Sequence, residues 1–295
     1  MTQPISIWPL RALLGEGPVW IERDQAVWFV DIERHRIHRF DPVSREKHSW
    51  DSPDKPAFIF PAADGTLLVG LKSGINRFDP ELGSFTLLLA PEPDRPDNRL
   101  NDAGVGPDGT LWFGSMNLDH NHPLTGAFYR LDAAGKAVRL VDQCGITNGP
   151  ALSPDGRIFY HTDTVLGTIF AADVAADGSL SNRRPLAKVD PADGAPDGTV
   201  VDSEGCLWVG VWGGWRARRY APDGSILAEV RFPVANITKM AFGGPELKTA
   251  YATTARGGLD EAALAAQPQA GDLFAFEVDV PGLPSPPVAV GLDRL

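Results

Sequence analysis

One strand-like phrase recurs through the whole chain. It reads VWFVD from Val27, LLVGL from Leu67, LWFGS from Leu111, IFYHT from Ile158, LWVGV from Leu207 and AYATT from Ala250. Successive starts lie 40, 44, 47, 49 and 43 residues apart. Turn signals precede several copies: AADGT, GPDGT, SPDGR and DSEGC. Their Asp-Gly and Glu-Gly pairs tolerate the positive φ that a tight hairpin needs. A second phrase follows each first one, as in IHRFDP at Ile37, INRFDP at Ile75, AFYRLD at Ala127, TIFAAD at Thr168, ARRYAPDG at Ala217 and LFAFEVD at Leu273. Each unit thus carries roughly four short strands in roughly 45 residues, with almost no helical periodicity.

This period and strand count are those of a β-propeller blade. Six units nearly fill the 295 residues, and the 31 glycines and 26 prolines supply the turns. The expected fold is all-β: one six-bladed propeller of four-stranded blades over residues 1–295. Two separate sandwiches would not repeat one phrase from end to end. The N-terminal stretch Ile5 to Leu10 is expected to complete the last blade and remove an exposed edge. Leu259 to Ala266 is the one helix-like stretch and reads as a surface turn.

A propeller has no function of its own, so function lies in what the blades aim at the central channel. The channel-lining strand should precede each first phrase by about ten residues. That stretch is EGPVW at Glu16, NDAGV at Asn101, NGPAL at Asn148 and DGTVV at Asp197, at offsets of 11, 10, 10 and 10. The matching stretches AFIFP, near Ala57, and TKMAF, near Thr238, offer no carboxylate. Any one of these pairs alone is an ordinary turn dipeptide. Four at one repeat position converge on the axis, placing two carboxylates and two amides together. Buried carboxylates repel unless a cation lies between them. Oxygen-only ligands suit one divalent ion, with Ca²⁺, Mg²⁺, Mn²⁺, Zn²⁺ and Fe²⁺ all admissible.

Other features narrow the choice. The net charge of −11 disfavours a nucleic-acid partner. No run of about 18 apolar residues spans a membrane, and the first residues lack a signal-peptide pattern. The two cysteines, Cys144 and Cys206, show no metal or redox spacing and read as core residues. A cytoplasmic monomer or small homo-oligomer is expected. No G-x-S-x-G, P-loop or Rossmann fingerprint occurs. His120 and His122 in LDHNHPL read as a solvated loop rather than a metal pair. His161 reads as a core residue, and His35, His38 and His48 carry no pattern. Trp28, Trp112 and Trp208 recur at one blade position, as packing between blades. Trp212 and Trp215 are candidates to wall a ligand pocket.

The stretches LGEGPVW (Leu14 to Trp20), RLND (Arg99 to Asp102), ITNGPALSPDG (Ile146 to Gly156) and PDGTVVDSEGCLWVGVWGG (Pro196 to Gly214) together resemble the gluconolactonase, senescence-marker-protein (regucalcin) and luciferin-regenerating family. The resemblance runs in order from about Leu13 to about Thr254. It implies a six-bladed propeller with one channel metal and hydrolysis of sugar-acid lactones, with bacterial xylono- and arabinolactonases as the nearest guesses. It assigns the metal to Glu16, Asn148 and Asp197, and the substrate to Arg99 and Asn101. Asp119, after the Gly-Ser-Met motif, is a further substrate candidate. Asp197 is the candidate base, taking a proton from water while coordinated. Two alternatives are a propeller esterase or phosphotriesterase with a wide apolar channel, and a non-catalytic calcium-binding propeller.

Overall fold

The computed structural model describes residues 1–119 and 124–294. Among these, the strands form six four-stranded antiparallel sheets. We number them as blades 1 to 6 by their first strands: Gly15–Ile21, Pro56–Pro61, Asn98–Val105, Thr147–Leu152, Ala195–Val201 and Ile237–Gly243. Each first strand packs against those of the neighbouring blades, and blade 6 packs on blade 1, so the sheets form a ring. The expected six-bladed propeller is what the chain adopts.

The inner strands are nearly continuously buried, as strands covered on both faces must be. Outer strands such as Lys47–Asp51 and Leu180–Lys188 are largely exposed. The glycine inside the repeated phrase has a packing cause. A Cβ on Gly114 would strike Thr147 of the next inner strand, and one on Gly210 would strike the Thr238 carbonyl. Neighbouring blades can approach this closely only where no side chain intervenes. Two of the recurring tryptophans seal the same seams, with Trp112 stacked on Phe159 and Trp208 edge-on to Phe242, whereas Trp28 stacks on Trp50 of its own blade.

Blade 6 is finished by the start of the chain: Ile5–Trp8 pairs with Leu273–Glu277, Ile5 opposite Ala275. The stretch expected as a surface turn contains a short helix instead, Glu261–Ala266, because Asp260 accepts a hydrogen bond from the Ala263 amide at 2.8 Å and caps its first turn. The C-terminal segment runs across one end of the ring. It bonds Ser203 and Leu247 at Pro281 and Gly282, then Pro61 and Gly109 at Val288 and Ala289.

Candidate functional site

Every inner strand carries a break in its ladder. In blade 1 Glu16 faces Val30 and Val19 faces Trp28, so Gly17 and Pro18 bulge together against one partner. Blade 4 repeats this, with Asn148 opposite Thr162, Ala151 opposite Tyr160, and Gly149-Pro150 between. Gly17 and Gly149 both have φ near +55°, a conformation that costs other residues strain. The bulges re-aim the preceding side chains, as bulges beside functional sites commonly do. Asp197 sits inside the bulge of blade 5, between Pro196 and Thr199.

Glu16, Asn148 and Asp197 are 6%, 3% and 6% exposed. The two carboxyls share one buried neighbourhood, in which the Glu16 charge raises Asp197. Burial, then the nearby Asp102 charge, pushes Glu16 up to about 8. Burial, then the charges of Glu16 and Asp102, holds Asp197 well above the usual carboxylate range. Two acids that repel in a dry place keep a proton between them unless a cation replaces it. Asn148 is fixed from both ends: its Oδ1 accepts from Asn101 at 3.0 Å and its Nδ2 donates to Thr164 Oγ1 at 2.9 Å. Thr164 in turn donates to the Pro196 carbonyl beside Asp197.

Arg99 and Asn101, both buried, stand against this centre. Arg99 Nη1 donates to Asn101 Oδ1 at 2.6 Å and to the Leu100 carbonyl at 2.9 Å. Burial lowers the Arg99 guanidinium to about 10, against the pull of Glu33, Glu16 and Asp197. Asp119 is exposed on the loop after Leu111–Asn117, at the end of the blade where Arg99 pairs with Met116. Its backbone N–H donates to Asn117 Oδ1. His120 and His122 lie outside the described residues. Trp212 lies against Gly257 and Gly258, while Trp215 is 40% exposed.

Asp102 and Lys239 stand at this centre too, although neither is among the residues singled out by the repeat. The latter is in the stretch judged to offer no carboxylate, and what it offers is an ammonium. Lys239 Nζ donates to Asp102 Oδ1 at 2.6 Å and to the Ala103 carbonyl at 2.8 Å. Asp102 could have been noticed in RLND, beside Asn101. At the opposite end of the inner strands lies a largely apolar cavity of about 370 Å³, lined by Val19, Phe60, Leu152, Phe242 and, from the crossing C-terminal segment, Leu283. Lys239 lines it too, whereas Glu16, Asn148 and Asp197 do not. Among the described residues no group of three His, Cys, Asp or Glu side chains is placed to hold a metal.

Fold and centre together define a six-bladed propeller with an oxygen-rich site on its axis. The chain belongs to the SMP-30/gluconolactonase/LRE-like family, whose model matches residues 14–256. It is 36% identical over 276 residues to an L-arabinolactonase of Azospirillum brasilense, covering 92% of this chain and 91% of that one. A 6-deoxy-6-sulfogluconolactonase of Pseudomonas putida is 34% identical, at 93% and 94% coverage. Among solved structures, a regucalcin of Agrobacterium tumefaciens, described as a calcium-binding protein, superposes with a TM-score of 0.91 at 29% identity, covering 96% of each chain. No helix among the described residues is long and apolar enough to cross a membrane.

Proposed function

We propose that this protein hydrolyses sugar-acid lactones, using one divalent ion held by Glu16, Asn148 and Asp197. The observation that carries the reading is the burial of two carboxyls on bulged inner strands beside a fixed amide oxygen. The lactonase names of its relatives support the substrate class. The donor set fits a hard cation: all three groups offer oxygen, and a positive charge would offset the burial and the neighbouring acidic charge that lift both acids.

A divalent ion held by Glu16, Asn148 and Asp197 would polarise the lactone carbonyl and offset the charge that grows on its oxygen. The chain's own groups do the rest. Asp197 takes a proton from the attacking water as oxygen bonds to the carbonyl carbon. The ring C–O bond then breaks, and Asp197 passes that proton to the departing alkoxide. Arg99 and Asn101 hydrogen-bond the sugar hydroxyls. The two described hydrogen bonds of Arg99 both use Nη1, which leaves Nε and Nη2 for substrate. The Asp119 loop adds an outer contact.

The test is a panel of aldonolactones, with acid release followed by pH indicator, on native, chelator-treated and metal-restored protein. Turnover should vanish with chelation and return with a divalent ion. Glu16→Gln should abolish most of it while leaving the circular dichroism unchanged. Undiminished hydrolysis by thoroughly metal-free protein would defeat the reading.

A further inference from the structure

Blades 3 and 6 are opposite each other in a ring of six, yet Lys239 of blade 6 reaches Asp102 of blade 3. Both residues are almost wholly buried. Asp102 is engaged on every side: Oδ1 receives Lys239 and the Ala103 amide, and Oδ2 receives the Gly149 amide at 2.7 Å. Its neighbour Asn101 holds the residues before Gly149, donating to the Thr147 carbonyl at 2.7 Å and to Asn148 Oδ1 at 3.0 Å. The dipeptide Asn101-Asp102 therefore clasps Thr147, Asn148 and Gly149 with three hydrogen bonds. The Lys239 stem runs across Gly198, where an added Cβ would fall 2.6 to 2.8 Å from its Cβ, Cγ and Cδ. One side chain thus touches the residue after Asp197 and secures the group that fixes the residue after Asn148.

We propose that Asp102 and Lys239 are positioning residues: a tie across the channel that sets the two bulges presenting Asn148 and Asp197. A buried ion pair adds little net stability over an apolar pair of like shape, so its value here is geometric. Lys239 also offsets the third acidic group at the centre, so that Asp102 can anchor Gly149 without adding net charge to the site. The proposal rests on the ion site described above. Groups that orient metal ligands typically change affinity or activity by about 10- to 100-fold when removed.

Calorimetric titration of chelator-treated protein with Ca²⁺, Mg²⁺, Mn²⁺ and Zn²⁺ tests it. Asp102→Ala frees the Gly149 amide and leaves Lys239 unpaired; it should bind the preferred ion at least tenfold more weakly. The double variant D102N/K239M removes both charges but keeps an acceptor for Gly149 and the lysine's apolar length. It should recover affinity to within about threefold of wild type if geometry is what the pair supplies. Its kcat should recover in parallel, with KM little changed throughout. Should Asp102→Ala fail to fold, the double variant decides alone, and affinity at least tenfold below wild type overturns the proposal. Ion binding by Asp102→Ala equal to wild type overturns it as well. Wild-type protein that binds none of the four ions would instead sink the ion site itself, and the tie's role with it.

Discussion

Asn101 donates an amide hydrogen to Asn148 Oδ1 at 3.0 Å, across the seam between blades 3 and 4. The contact joins a residue assigned to the substrate with one assigned to the metal. Arg99 in turn holds Asn101 by its Oδ1 at 2.6 Å. On the proposed reading, substrate and ion are therefore served by one connected row of side chains.

That row separates two substitutions. Arg99→Ala should raise KM at least tenfold and leave divalent-ion affinity unchanged or tighter, since a nearby positive charge is lost. Asn101→Ala should weaken both, because Asn148 loses its partner. Parallel calorimetry and steady-state kinetics check this; identical profiles for the two variants would contradict it.

Asp197→Asn should reduce kcat by about 10²- to 10⁴-fold, the usual contribution of a general base. The asparagine oxygen can still coordinate, so part of the ion affinity should survive. The comparison requires saturating metal. A loss under about tenfold is too small for a missing base and would move the proton acceptor elsewhere.

Gly198→Ala places a methyl group into the Lys239 stem. Overpacking of this kind costs about 1–3 kcal/mol. The double variant G198A/K239A should regain part of the loss contributed by the clash. Urea midpoints of the four proteins give the coupling, and simple additivity would show that the clash is not felt.

His38 and His161 are buried among aromatic rings, and burial, then neighbouring arginine charge, lowers each to about 3. As pH falls below the ordinary histidine value of 6.5, the unfolded chain takes up protons that the folded one refuses. With saturating divalent ion, which on the proposed reading keeps Glu16 and Asp197 ionised, stability should therefore be level above about pH 6.5 and fall below it, by about 1.4 kcal/mol per pH unit for each such histidine. His161→Phe should make the acid slope shallower. Denaturant midpoints between pH 8 and pH 4.5 check this; a slope parallel to wild type would refute it.

Much of the ring could be read from the chain because each blade repeats a phrase under the same constraint. The glycine of LWFGS and LWVGV marks where the next inner strand passes. Glu16 and Asn148 were legible because Gly-Pro follows both and forms the same bulge. Asp197 was found at the same offset as Asn148, although the ladder places it inside its bulge rather than before it. Lys239 carries no side-chain oxygen, so it shares nothing with the oxygen-bearing positions of the repeat. Its partner is 137 residues away in sequence, a separation that no local pattern records. Thr164, which orients Asn148 from the same blade, was hidden because its own anchor, the Pro196 carbonyl, belongs to the next blade.

The pairing of Ile5 with Ala275 has a consequence for biogenesis. The strand Ile5–Trp8 leaves the ribosome first, and Leu273–Glu277 is among the last strands to be made. At about 5–20 residues per second the earliest strand waits on the order of tens of seconds for its partner. During that interval both it and the growing stack of blades expose unpaired edges, which invite association with other chains. Refolding from denaturant imposes no such wait, but it must still close one contact spanning nearly the whole chain, and distant pairings of this kind are slow. In the cell, the schedule of ring closure is set by how long translation takes to travel from Ile5 to Ala275.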